Sequence, residues 1–218
     1  MANKRIKKKW ILLFGFLLYI FSFGVIKVSQ AGPHSGNEDI VSQWVIFHGS
    51  SGRDEDIVAD RRYILYNGRI DRGVIYGERE YGINLRWLRL TTNPNPDPYV
   101  VRFSARGVAN GQVIQPTLGN LDGAWSYFGY TVAIFVDSVD GGGYLCYGTR
   151  EYGINLVWSH TPCYEWELQQ GGYSLNYDPD RSQLGVGYWT ALYNKRVHKF
   201  VVYGNRDYGI NLVWRRWP

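Results

Sequence analysis

Three arginines, three acids and three asparagines recur at fixed spacing in this chain: Arg79, Arg150 and Arg206; Glu80, Glu151 and Asp207; Asn84, Asn155 and Asn211. A tyrosine follows each acid, as Tyr81, Tyr152 and Tyr208. A guanidinium fork, a carboxylate, an amide and a phenol are suited to holding hydroxyl groups and stacking on rings. Two readings of this set are open. In one, each arginine pairs with the acid of a neighbouring copy and each asparagine satisfies hairpin backbone groups, a network in which an unpaired member is costly. In the other, each set of Arg, acid and Tyr lines one of three equivalent ligand pockets, which gain by avidity.

The sets are embedded in one repeated motif: YGEREYGINLRW from Tyr76, YGTREYGINLVW from Tyr147 and YGNRDYGINLVW from Tyr203. Nine of the twelve positions are identical in all three, so the chain grew by duplication. Within the motif Ile83, Leu85 and Trp87 alternate with Asn84 and Arg86, which predicts a strand with the first three facing a core. Trp87, Trp158 and Trp214 are expected to gather near a common axis as packing. Gly77 and Gly82, with their counterparts, are expected to bracket a tight hairpin.

Extending the comparison backwards predicts four strands per copy. The first copy gives Gln43–Phe47, Tyr63–Asn67, Gly73–Gly77 and Tyr81–Trp87. The second gives Tyr99–Ala105, Val132–Val136, Gly143–Gly148 and Tyr152–Trp158, and the third Tyr164–Gln170, Thr190–Asn194, Phe200–Gly204 and Tyr208–Trp214. The copies span about 41–92, 93–163 and 164–218, with prolines at 94, 96 and 98 marking the first boundary. No sustained helical period follows residue 31, so the fold class is all-β.

The connections between first and second strands differ: His48 to Arg62, Arg106 to Thr131 and Gly171 to Trp189. Such connections often carry function. The second holds Trp125, Tyr127, Phe128 and Tyr130, and the third Tyr173, Tyr177, Tyr188 and Trp189, so Trp125 and Trp189 join the repeated residues as ligand-binding candidates. The first is acidic, with Asp54, Glu55, Asp56 and Asp60, but its spacing fits no calcium loop and a solvated turn is expected.

No catalytic motif is present. The four histidines, His34, His48, His160 and His198, lie at no metal-ligand spacing on one element. Gly49-Ser50-Ser51-Gly52 lacks the spacing of a nucleophile elbow. No phosphate-cradling loop appears, and no carboxylate pair is nominated for glycoside hydrolysis. Neither metal nor cofactor is expected.

The N-terminus is basic at Lys4, Arg5, Lys7, Lys8 and Lys9, and an uncharged run follows from Trp10 to Ile26. Ser29 and Ala31 place small residues where a signal peptidase would cut before Gly32. Residues 1–31 are therefore expected to be a signal peptide and 32–218 a single secreted domain. Left uncut, the segment would anchor that domain to a membrane. Removing it takes six of the 24 basic residues and none of the 19 acids, so the overall +5 becomes a near-neutral mature charge. Such a chain lacks the basic field that nucleic acid requires. In an oxidising compartment Cys146 and Cys163 are expected to be bonded.

Three units of four strands within one domain resemble the β-trefoil superfamily, with a β-prism as the alternative. Within that superfamily the chain is similar in architecture to lectin and carbohydrate-binding modules of the ricin B type. Each unit there ends in Gln-x-Trp, whereas each here ends in Ile-Asn-Leu-x-Trp. No sugar-contacting residue is carried over. The resemblance implies a non-catalytic module that binds a glycan or cell-surface glycoconjugate. The same fold also serves protease inhibitors of the soybean Kunitz type, cytokines and toxin receptor-binding domains, which keeps a protein partner open.

Overall fold

A computed structural model describes residues 41, 43–48, 56–90, 97–121, 125–138, 141–170 and 189–216. The expected signal peptide, Asp54, Glu55, the Gly49–Gly52 stretch and Tyr173, Tyr177 and Tyr188 lie outside the described residues. Among the described residues there is no helix. The strands are β1 (Trp44–Phe47), β2 (Arg62–Asn67), β3 (Arg72–Tyr76), β4 (Leu85–Leu88), β5 (Val101–Ser104), β6 (Thr117–Leu121) and β7 (Trp125–Val136). After them come β8 (Gly143–Tyr147), β9 (Leu156–Ser159), β10 (Trp166–Gln170), β11 (Trp189–Asn194), β12 (Lys199–Tyr203) and β13 (Leu212–Arg215).

Every pairing is antiparallel, and six of the strands form a closed circuit: β1 with β2, β2 with β5, β5 with β7, β7 with β10, β10 with β11, and β11 with β1. Closure leaves these six strands no free edge. Three hairpins continue from it: β3–β4 beside β2, β8–β9 beside β7, and β12–β13 beside β11. Period-two alternation turns Trp44 and Ile46, Tyr63 and Leu65, and Val101 and Phe103 into a single buried cluster, which also takes in Ile83, Leu85 and their counterparts.

The hairpins share one register. Val74 faces Trp87, Leu145 faces Trp158 and Val201 faces Trp214. Their last strands begin later than the sequence pattern predicts, at Leu85, Leu156 and Leu212 rather than at Tyr81, Tyr152 and Tyr208. The preceding residues are spent on a loop, in which the amide of Leu85 donates to Ile83 O at 2.7 Å and that of Leu156 to Ile154 O at 2.7 Å. The expected tight hairpin is thus a longer loop, closed by Gly77 N–H donating to Asn84 O at 3.1 Å and its two equivalents at 3.2 Å.

A second departure lies between residues 106 and 131, expected to be one irregular connection. It contains β6 and the first part of β7, paired from Thr117↔Gly129 to Leu121↔Trp125. The connections at this place in the other copies differ from it in length and sequence, so comparison among copies could not reveal it. Trp125 and Trp189 open β7 and β11, and their side chains lie outside the described residues.

Cys146 on β8 is bonded to Cys163, with Cα atoms 5.8 Å apart. The acidic first connection supplies Asp60 to a charge network. Arg102 binds Asp60 at 2.8 Å and Asp137 at 2.7 Å, while Arg62 binds Asp97 and Asp137, each at 3.2 Å.

Candidate functional site

The site is built on three glycines. Gly82, Gly153 and Gly209 each have positive φ, at 83°, 79° and 80°. A Cβ on Gly82 would lie 3.0 Å from the Cα of Gly209 and 3.6 Å from that of Gly153. Only glycine allows both this backbone conformation and this approach. Three loops from distant parts of the chain therefore meet at one hub.

The repeated arginines lock the hub. Arg79 Nη1 donates to Gly209 O at 3.0 Å, Arg150 Nη2 to Gly82 O at 2.5 Å and Arg206 Nη2 to Gly153 O at 2.6 Å. Each loop thus grips the next in one rotational sense, and the ring closes. Arg79 Nε also donates to Leu85 O, and Arg150 Nη1 to Leu156 O at 3.4 Å. Asn84 and Asn155 accept the amides of Arg79 and Arg150 at 3.2 and 3.3 Å.

The bracing reading of the arginines and asparagines thus has geometric support, with one correction. The arginines bind glycine carbonyls, not the neighbouring acids. Glu80, Glu151 and Asp207 are exposed and enter no ion pair among the described residues. The physical reason is that a left-handed glycine in a loop presents a carbonyl with no ladder partner, and such a group needs a donor.

Above the hub the tyrosines close into a rosette. Ring centroids of Tyr81 and Tyr152 are 5.2 Å apart, those of Tyr81 and Tyr208 5.3 Å, and those of Tyr152 and Tyr208 5.3 Å. All three contacts are edge to face, with interplanar angles of 66°, 63° and 65°. These are the exposed large hydrophobic residues among those described, at 41%, 39% and 49% of full exposure. The three pockets entertained from the sequence are therefore one cluster.

A layer of aromatics surrounds the barrel side of this frame. Trp87, Trp158 and Trp214 make their ring contacts with other aromatics and not with one another. Each meets a tyrosine of another motif: Trp87 with Tyr203 at 6.2 Å, Trp158 with Tyr76 at 6.1 Å and Trp214 with Tyr147 at 6.0 Å. They pack against the core, which agrees with a packing role. Trp44 stacks on Trp87 at 6.0 Å and Trp166 on Trp214 at 6.2 Å.

Chemically the arrangement is an aromatic platform with three phenol groups, fixed from below and flanked in sequence by carboxylates. Among the described residues no group of three or more His, Cys, Asp or Glu side chains is placed to hold a metal ion. Sequence reasoning named every residue of the rosette but missed their convergence. The signal was there in the invariant Tyr-Gly pair, because a repeated glycine beside a repeated aromatic marks a place where backbones approach. Set against models of protein families, curated proteins and solved structures, the chain matches none.

Proposed function

We propose that this chain is an exported, non-catalytic β-trefoil module that binds a saccharide of a glycan or cell-surface glycoconjugate at the tyrosine rosette. The six-strand circuit with its three hairpins supports the trefoil reading over a β-prism, which would need three separate sheets. The disulfide is compatible with export. One observation carries the functional reading: among the described residues, the exposed large hydrophobic side chains gather at a single point on a braced frame. Phenol rings offer an apolar face to the C–H side of a sugar and a hydroxyl to its polar edge. The adjoining carboxylates of Glu80, Glu151 and Asp207 supply acceptors for sugar hydroxyls.

Convergence favours one ligand per chain over three. A glycan array on the exported protein, followed by calorimetry on the best ligand, tests this. We expect a stoichiometry near one and a loss of about tenfold in affinity for Tyr81→Ala, equivalent to about 1.4 kcal/mol. Failure to bind any glycan, beside a tight complex with a protease, would replace this reading with that of an inhibitor.

A further inference from the structure

The rosette also has a chemistry of its own, and we infer that it is an oxidation site at which two of its tyrosines are joined as an intramolecular dityrosine. Each described tyrosine-to-tyrosine ring contact belongs to this cluster. Other described tyrosine rings contact Phe, Trp or His, as in Tyr63 with Phe103, Tyr76 with Trp158 and His48 with Tyr63, or lie under an arginine, as Tyr147 and Tyr164 do. The rosette tyrosines are also far more exposed than Tyr63 or Tyr130, which are buried at 0% and 1%. Among the described tyrosines, these three are therefore the most open to an oxidant in solvent.

The step balances with hydrogen peroxide as oxidant, used by a haem peroxidase. Two phenols each give up one electron and one proton, and peroxide takes both pairs to become two waters. The resulting phenoxyl radicals carry spin at the ring carbons beside the oxygen. Two such carbons form the new C–C bond, and the hydrogen displaced from each moves to its phenol oxygen, restoring both aromatic rings. Intramolecular placement replaces a chance encounter between radicals. Because all three rings touch, any two radicals formed in the cluster are already neighbours.

The consequence is a covalent link between motifs far apart in sequence, beside the hub that Arg79, Arg150 and Arg206 already hold by hydrogen bonds. Linking distant residues restricts the unfolded chain. The inference does not rest on the saccharide reading, and each fails on a different measurement.

The test uses the exported, disulfide-intact chain at low concentration with a haem peroxidase and hydrogen peroxide. Trypsin releases Tyr81 in residues 80–86 and Tyr208 in residues 207–215, each peptide holding a single tyrosine. The expected product is these two peptides joined, two hydrogens lighter than their sum, from protein that still runs as a monomer when denatured and reduced. Tyr81→Phe should abolish that product yet keep dityrosine fluorescence through Tyr152 and Tyr208. Tyr81→Phe with Tyr152→Phe should remove the intramolecular fluorescence. Phenylalanine preserves the ring contacts, and circular dichroism confirms folding. Cross-links confined to other tyrosines, links only between chains, or no dityrosine under conditions that couple free tyrosine would each overturn the inference.

Discussion

Replacing Arg79 with alanine separates a brace from a ligand contact. The side chain donates from Nη1 to Gly209 O at 3.0 Å and from Nε to Leu85 O. A hydrogen bond from a charged donor contributes about 1.5 to 3 kcal/mol. The site is half-buried, so water recovers part of this, and the net loss should be about 2 to 3 kcal/mol. For a domain of this size that is a fall of about 4 to 12 °C in Tm. Denaturant unfolding at unchanged m-value reads the loss directly. Glu80→Ala is the paired control. Its carboxylate is exposed and has no ion pair among the described residues, so its removal should stay within about 0.5 kcal/mol. Equal losses for the two variants would mean that arginine and acid act as a pair, and the carbonyl-ring account would be refuted.

Two further outcomes follow from the hub and the core. Gly82→Ala combines a φ of 83° with a Cβ at 3.0 Å from Gly209 Cα, and should cost about 2 to 4 kcal/mol. Gly107→Ala has a similar φ of 73° but nothing within 4 Å, and should cost only about 1 to 2 kcal/mol; similar values for both by urea titration would deny the close approach. Stability should also fall in alkali, because burial, with a smaller contribution from nearby acids, raises the phenol pKa values of Tyr66 and Tyr130 above the ordinary 10.0. The native state then keeps protons that the unfolded chain loses, so this stability is complete below about pH 10 and declines above it by up to about 1.4 kcal/mol per pH unit for each tyrosine. Urea midpoints measured on either side of that pH should show the decline, and Tyr130→Phe should make it shallower; a flat profile would refute the assignment.

The hairpins were legible because nine of twelve residues recur and because Ile83 and Leu85 alternate with Asn84 and Arg86. Burial follows that alternation in all three copies. Strand starts were misplaced because Tyr81 and Gly82 fit a β pattern by type, while their conformation is set by the other two loops. The arginine's acceptor was hidden for a similar reason: sequence displays the adjacent acid, whereas a glycine carbonyl from another copy becomes visible only in three dimensions. The sequence pattern marks Trp87 as packing, but one of its two ring partners, Tyr203, belongs to a different copy.

The copies differ where their geometry leaves them free to differ. By register, Trp44 opposite Asn67 and Trp166 opposite Asn194 correspond to Val101 opposite Val136. Trp44 Nε1 donates to Val201 O at 2.7 Å and Trp166 Nε1 to Leu145 O at 2.5 Å, contacts that valine cannot make. Likewise Gln43 and Glu165 accept the amides of Tyr203 and Tyr147, where the second copy has Val100. A barrel strand answers to its immediate neighbours, so one copy can change with a local adjustment. A hub residue answers to both other copies at once. A larger residue at Gly82 would displace Gly153 and Gly209 together, and the loss of any one arginine would open the ring. The rosette is therefore a property that no single motif possesses. Its three tyrosines become a platform only when all three loops are in place, so the proposed saccharide binding and the proposed oxidation both require the whole barrel to be intact.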